Sequence, residues 1–338
     1  MTVRVGINGF GRIGRNYVRA VLASGADIEV VAVNDLTSAE TLAHLLRYDS
    51  TQGRFNGEVA VAEGGLVVNG KTVKVFAERD PKALDWASVG ADVVIESTGL
   101  FTSRAQAAGH LDGGAKRVIV SAPATDVDGT FVFGVNEDTY DPARHVVISN
   151  ASCTTNCFVP MVKVLDDAFG ITSGLMTTVH AYTNDQNLLD LAHKDLRRAR
   201  AAAVNIVPSS TGAARATSLV LEQMKGRLDG TSLRVPVPVG SITDFTAVVP
   251  GTPSVAEVNA AYAAAAQDPR LGKVLVYTEE PIVSEDIVSS PSSCTFDAGL
   301  TMVQRIDDAS SLVKVLGWYD NEWGYSNRLV DLTVLVGG

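Results

Sequence analysis

Short apolar runs and helix-spaced segments alternate through the first half of the chain. Val3–Asn8 is an apolar run that ends in glycines, and Arg12–Ala23 follows with helical spacing at Ile13, Tyr17, Ala20 and Val21. Ile28–Asn34 is a largely apolar run suited to a strand buried on both faces. Val93–Ile95, Val118–Val120 and Val146–Ile148 repeat the pattern beside turns or helical segments. This rhythm predicts a parallel sheet covered on both sides. The second half changes character. Gly174–Val179, Ser232–Val239, Ile242–Val249, Lys273–Tyr277 and Leu312–Trp318 read as strands, with helices at Thr154–Ala168, Gly212–Gln223 and Val255–Gln267. That order predicts an α+β domain with an antiparallel or mixed sheet. The expected division is residues 1–150, 151–320 and a closing segment 321–338. Its helix, Ser326–Leu335, is expected to pack back on the first domain.

Composition narrows the class. The chain has 338 residues, 46% hydrophobic and 20% charged, which suits a folded globular protein. Its formal net charge of −10 argues against nucleic acid or an anionic membrane as the main partner. Three cysteines make no disulfide framework and point to a reducing, cytoplasmic setting. The opening MTVRVGINGFGRIGR lacks the apolar core of a signal peptide, and no stretch reaches the 18 or so apolar residues of a membrane span.

The segment Gly9-Phe10-Gly11-Arg12-Ile13-Gly14 fits G-x-G-x-x-G. It follows a predicted strand, opens a predicted helix, and precedes a second strand ending at Asp35. This is the context of a dinucleotide site. Gly9 makes the turn, Gly11 lets backbone approach a pyrophosphate, Gly14 allows helix–strand packing, and Asp35 accepts from a ribose diol.

Ala151-Ser152-Cys153-Thr154-Thr155-Asn156-Cys157 follows a strand and begins a helix. Cys153 then sits at the helix N-terminus, where the dipole and free amides are expected to depress its pKa. Cys157 reads as a buried small hydrophobe, with a metal site as the alternative. Of five histidines, His44 lies in a helical segment, His110 and His145 in expected loops, and His193 in a basic loop. His180 ends a strand, which favours it as a base for the thiol, against a purely structural role. Pro208-Ser209-Ser210-Thr211-Gly212 precedes a helix and is either an anion pocket or an ordinary cap. Arg234 is a lone cation among Val235, Pro236, Val237 and Pro238, the setting of a paired or ligand-facing arginine. Lys194–Arg200 is a basic run that reads by default as solvated.

The ordered motifs ING-FGRIGR (7–15), VND (33–35), ASCTTNC (151–157), TTVHAYTNDQ (177–186), NIVPSSTGAA (205–214), RVPVPVGS (234–241) and WYDNEWGYSNR (318–328) resemble phosphorylating glyceraldehyde-3-phosphate dehydrogenases over nearly the whole chain. The resemblance implies an α/β Rossmann domain followed by an α+β catalytic domain. It implies NAD as cofactor, with Arg12 and Ile13 at the pyrophosphate, Asp35 at the adenosine ribose, and Arg79 and Ser121 as further contacts. Asn321 would hold the nicotinamide carboxamide, with Tyr325 beside the ring. Cys153 would be the nucleophile and His180 its base. Ser152, Thr154, Thr183, Arg197, Thr211, Gly212 and Arg234 would form two anion pockets, for the phosphate of glyceraldehyde 3-phosphate and for inorganic phosphate. A homotetramer is implied, with residues 182–206 near a neighbouring subunit's cofactor. The rival functions are oxidation of erythrose 4-phosphate, an NADP-using biosynthetic paralogue, and a non-catalytic NAD-binding redox regulator. Two positions depart from the common family pattern: Ala124-Thr125-Asp126 after the SAP turn, and Ala192 in place of a frequent proline.

Overall fold

A computed structural model describes residues 2–338. The chain divides into two compact units. One comprises the residues up to Ala151 together with Ser326–Gly338, and the other Ser152–Tyr325.

The first unit is built on a nine-stranded sheet. Seven strands are mutually parallel, in the order Gly129–Thr130, Val147–Ser149, Arg117–Val120, Val93–Glu96, Val3–Asn8, Ile28–Asn34, Lys71–Phe76. Val5, Ile7, Ala32, Val33, Val94 and Ile95 are fully buried, because helices and loops cover both faces. From Val3–Asn8 the chain first builds toward Ile28–Asn34 and later crosses to Val93–Glu96. The strand order therefore reverses at that junction, whose carboxyl end is the expected place for a ligand. Two further strands, Val59–Ala62 and Gly65–Val68, extend the sheet antiparallel beyond Lys71–Phe76, so it is not parallel throughout. The helix Arg12–Ser24 ends on Gly25 in the left-handed conformation (φ 66°). The closing helix runs Trp323–Gly337. Within this unit Tyr17 and Thr333 share a buried hydroxyl hydrogen bond of 3.0 Å.

The second unit carries an eight-stranded mixed sheet. Its order is Val207–Ser210, Leu228–Val235, Ser173–Ala181, Ser241–Pro250, Ser310–Tyr319, Cys294–Asp297, Leu275–Thr278, with Met302–Arg305 also paired to Ser310–Tyr319. The helix Cys153–Phe169 packs on this sheet, its Phe158 edge-on against Phe245 at 4.9 Å between ring centroids. Val255–Ala265 packs beside it, and Tyr262 donates to the Met161 carbonyl at 2.7 Å. The single helix expected over 212–223 is broken into Ala213–Ala216 and two 3₁₀ turns, Thr217–Leu219 and Glu222–Met224. Thr217 bonds back to the Ala213 carbonyl at 3.2 Å, a side-chain competitor that weakens the α ladder there. No helix among the described residues is long and apolar enough to cross a membrane.

Candidate active site

The candidate nucleophile, Cys153, is placed by a helix start. Ser152 caps the helix, its Oγ accepting the Thr155 amide at 3.0 Å, and Cys153 is the first helical residue. The preceding Ala151 takes a left-handed φ of 54°, a conformation that a residue with a Cβ rarely adopts. His180 lies one residue before the end of the strand Ser173–Ala181, and its Nε2 is 3.4 Å from Cys153 Sγ. His180 Nδ1 lies 2.7 Å from the Ala181 carbonyl, and with the ring proton on Nδ1 the lone pair of Nε2 faces the sulfur. Sheet register sets Arg234 directly opposite His180. The Arg234 guanidinium touches His180 Nδ1 and donates to the same Ala181 carbonyl at 3.1 Å. Its Nε is buried with no partner among the described residues. Beneath them the Tyr319 hydroxyl joins Thr154 (2.8 Å) to Thr178 (2.7 Å).

The expected depression of the Cys153 pKa is not what this environment produces. Burial pushes the thiol up to about 11, against the pull of Arg234 and of the Thr154 amide and hydroxyl. Burial and then the Arg234 charge push His180 down to about 3. Desolvation outweighs the helix terminus, so the resting pair is a neutral thiol beside a neutral imidazole. Cys157 is fully buried, 3.9 Å from Met161 Sδ and 3.6 Å from the Gly317 carbonyl, and burial raises its thiol well above the ordinary range.

Of the anion-binding candidates, Thr183 lies just past the end of the His180 strand, whereas Thr211 follows a strand whose Ser210 is level with Thr177. The Thr183 hydroxyl bonds Asp185, which accepts from Arg198 at 2.6 Å, and Arg198 also reaches the Ser210 carbonyl at 3.4 Å. The guanidinium that shares Asp185 with Thr183 belongs to Arg198. The Arg197 side chain is exposed, and only its amide is held, by Asp195 at 2.9 Å. The Asp185 carboxylate draws the deeper arginine inward, a pairing that a run of four basic residues does not disclose. Thr211 Oγ1 accepts the Ala213 amide at 3.2 Å, and space beside Gly212 is open. A hollow of about 770 Å³, lined by Ser173, Leu175 and Arg227 among others, opens at the opposite end of the His180 strand and takes no part in this site.

In the first unit the glycines fit their expected tasks. Gly9 has φ 90°, and a Cβ there would come within 2.7 Å of the Thr98 amide nitrogen; a Cβ on Gly14 would lie 2.5 Å from the Gly9 carbonyl oxygen. A Cβ on Gly11 would meet nothing within 4 Å, which leaves its face open to an approaching ligand, and the helix start carries no side-chain cap. A hollow of about 340 Å³ is lined by Gly9, Gly11, Asp35, Arg79, Ser97 and Leu100. Asp35 is fixed by two backbone amides, Phe10 on Oδ2 and Thr37 on Oδ1, both at 3.0 Å. Ser121 follows the strand Arg117–Val120, its amide bonded to the Glu96 carbonyl at 2.9 Å. The Arg12 guanidinium is engaged by Asp49 at 2.7 and 3.1 Å. These residues suit a dinucleotide: open backbone, an uncapped helix start and an anchored acceptor.

The remaining assignments divide between the second unit, which holds Asn321 and Tyr325, and the first, which holds His110. Asn321 Oδ1 accepts the Gly240 amide (3.1 Å) and the Ser241 hydroxyl (3.2 Å), and Tyr325 is buried. His110 lies in a short helix, Gly109–Asp112, and not in a loop. It is locked between Glu96 (2.9 Å) and the Trp86 indole N–H (3.1 Å), a structural histidine of the first unit. Sequence reasoning passed over Asp185, Arg198, Thr178, Tyr319 and Ser241. The alternation along Leu312–Trp318 was the available signal for Tyr319.

Residues 152–321 match the family described as glyceraldehyde 3-phosphate dehydrogenase, C-terminal domain, and residues 3–104 match the corresponding NAD binding domain. The chain is 63% identical over 337 residues to a glyceraldehyde-3-phosphate dehydrogenase of Streptomyces coelicolor, covering all of this chain and 99% of that protein. It is 61% identical over 343 residues to the glyceraldehyde-3-phosphate dehydrogenase of Mycobacterium tuberculosis, with the same coverage. Two matched domains and full-length identity, together with the thiol, imidazole and glycine-loop geometry, place the chain in the glyceraldehyde-3-phosphate dehydrogenase family.

Proposed function

We propose that the chain catalyses the NAD-dependent oxidation and phosphorylation of D-glyceraldehyde 3-phosphate to 1,3-bisphosphoglycerate. The observation that carries this reading is Cys153 Sγ at 3.4 Å from a His180 Nε2 whose other nitrogen is held on the Ala181 carbonyl. Cys153 sulfur adds to the aldehyde carbon while its proton passes to His180 Nε2, giving a thiohemiacetal. The Cys153 amide at the helix start and His180 stabilise the developing oxyanion. His180 passes that proton to the oxyanion and takes it back from the thiohemiacetal hydroxyl as the carbon–hydrogen bond breaks with its electron pair, leaving a thioester. Bound NAD supplies the hydride acceptor for that oxidation. Phosphate oxygen attacks the thioester carbon, the carbon–sulfur bond breaks, and the acyl phosphate leaves with Cys153 restored. Storing the oxidation energy in a thioester is what a second, phosphate-binding pocket makes useful.

In this reading the first unit holds the dinucleotide through Gly9, Gly11, the Arg12 and Ile13 amides, Gly14, Asp35, Arg79 and Ser121. Asn321 and Tyr325 serve the nicotinamide. Arg234, Thr183 and, through Asp185, Arg198 serve one phosphate; Ser152, Thr154, Thr211 and Gly212 serve the other. Thr154 acts through its amide, since its hydroxyl is engaged by Tyr319. The working form is a cytoplasmic homotetramer. Support for association comes from the segment 188–206, which leaves Leu188 78% and Leu196 81% exposed alongside Leu189, Leu191, Val204 and Ile206. The test is NADH formation from the aldehyde with and without phosphate, with acyl phosphate trapped by hydroxylamine. Phosphate-independent turnover to the free acid would overturn the reading.

A further inference from the structure

Ser241 stands outside the residues assigned above, yet it is the hinge pin between two of them. It is 1% exposed and opens the strand Ser241–Pro250, facing Tyr319 in the sheet register. Its Oγ accepts the Ala181 amide at 3.0 Å and donates to Asn321 Oδ1 at 3.2 Å. A hydroxyl carries one proton, so with that proton on Asn321 the Ala181 amide must meet a lone pair. The same Asn321 oxygen accepts the Gly240 amide at 3.1 Å. Gly240 is itself fixed, with φ 89° and with a Cβ position only 2.4 Å from the Ser284 carbonyl oxygen. Two donors converging on one end of a carboxamide permit only its oxygen there. The Asn321 NH₂ is therefore the end left over, and it bonds nothing among the described residues.

The chain of bonds continues on the other side. The Ala181 residue whose amide is held by Ser241 has the carbonyl that holds His180 Nδ1 at 2.7 Å. One hydroxyl thus connects the carboxamide Asn321 to the strand end that aims His180 at Cys153. We propose that Ser241 is a positioning residue that locks the Asn321 amide with its NH₂ outward, to donate to the nicotinamide carboxamide, and ties that amide to the His180 strand end. The inference rests on the reading that Asn321 meets the nicotinamide. It assigns Ser241 no contact with substrate or cofactor; its effect passes through Asn321 and Ala181.

The experiment compares binding of NAD with binding of ADP-ribose, which lacks the nicotinamide, by calorimetry on the full chain. Ser241→Ala should weaken NAD by about tenfold, the worth of one oriented hydrogen bond, and leave ADP-ribose within about twofold of the parent. Ser241→Thr, which keeps the hydroxyl, should retain the parental ratio. Ser241→Cys, a weaker donor of similar size, should fall between, and it keeps the test alive where the alanine variant folds poorly. Equal weakening of both ligands, or of neither, overturns the proposal. Asn321→Ala separates the two levels of inference. If it leaves the NAD to ADP-ribose ratio unchanged, the reading of Asn321 fails and the proposal with it. If it shifts the ratio while Ser241→Ala does not, the reading stands and Ser241 is structural.

Discussion

Arg234 lies opposite His180 across a pair of parallel strands, and both side chains meet at the Ala181 carbonyl. A fixed cation beside an imidazole makes that imidazole a weaker base, and the Arg234 charge is the second cause, after burial, of the lowered His180 pKa. A phosphate drawn to Arg234 offsets that charge. In the proposed reaction, substrate anchoring and the strength of the base would be coupled through this one guanidinium.

Arg234→Ala should therefore change two quantities. The KM for the phosphorylated aldehyde should rise far more than that for NAD, by the loss of about 1.5–3 kcal/mol typical of a hydrogen bond to a charged group. The acid limb of the pH profile of kcat/KM should move to higher pH, because removing the cation raises the His180 pKa. Steady-state kinetics from pH 5 to 9 read both effects. Unchanged KM values for aldehyde and phosphate would make Arg234 a structural residue.

Cys153→Ser should abolish turnover and leave NAD binding within a few-fold of the parent. The serine hydroxyl keeps the shape of the helix start but is a far weaker nucleophile at neutral pH. Parallel NAD titration and activity measurement decide the matter; substantial residual turnover would remove Cys153 from the mechanism.

The buried neutral His180 also predicts how stability depends on acid. Its folded pKa lies below that of the unfolded chain, so on acidification the unfolded state takes a proton that the folded state refuses. The contribution is complete above the ordinary histidine value of about 6.5 and is lost progressively as pH falls from there toward about 3. At pH 5 the difference is about 2 kcal/mol, from 1.36 kcal/mol per pH unit. His180→Gln should lose less stability than the parent between pH 7 and 5, measured by urea unfolding. Asp49 acts in a separate window. Burial would raise its pKa, but Arg12 and the Gln52 and Thr51 amides hold it well below the carboxylate range. Its share is therefore kept down to about pH 4 and lost only below. If the parent and His180→Gln unfold with the same pH slope, the imidazole is not buried neutral.

What the chain discloses without its structure depends on the range of the interactions involved. The parallel core was legible because Val3–Asn8, Ile28–Asn34 and Val93–Glu96 are mostly buried and mostly apolar, with Arg4 and Glu29 the outward-facing exceptions near the strand starts. Cys153 and the glycine loop were legible because a strand followed by a helix start is a local pattern. The antiparallel pair Val59–Ala62 and Gly65–Val68 was not: its first strand is largely exposed, and its place is set by pairing across to Lys71–Phe76. Arg198 was hidden for a related reason. Four basic residues within seven positions look alike until Asp185, thirteen residues away, selects one of them. Ser241 depends on register, since its partners Ala181 and Asn321 are 60 and 80 residues distant. The Cys153 pKa was misjudged because a helix terminus is written in the sequence, whereas desolvation by the folded surroundings is not.

Cofactor choice follows from how firmly Asp35 is held. The chain should prefer NAD over NADP by at least about tenfold in kcat/KM. Asp35 follows the strand Ile28–Asn34, where the adenosine ribose is expected, and its carboxylate accepts readily from a free 2′-hydroxyl. In NADP that position bears a phosphate, and two unit charges 4 Å apart repel by about 4 kcal/mol at an effective dielectric of 20, before relaxation and screening. A mobile carboxylate relieves such repulsion by turning away, but both Asp35 oxygens are pinned by the Phe10 and Thr37 amides at 3.0 Å. Next to it Leu36, 53% exposed in the same hollow, offers no donor to a phosphate. Arg79 lines that hollow too, so the preference is set by a fixed anion against one cation and not by the absence of any positive charge. Asp35→Gly removes the anion and leaves Arg79, and it should bring the two cofactors within a few-fold of each other. Kinetics with both cofactors on the parent and on Asp35→Gly test the argument. Equal use of NAD and NADP by the parent would refute the role of Asp35, and an unchanged ratio in Asp35→Gly would move the discrimination to another residue.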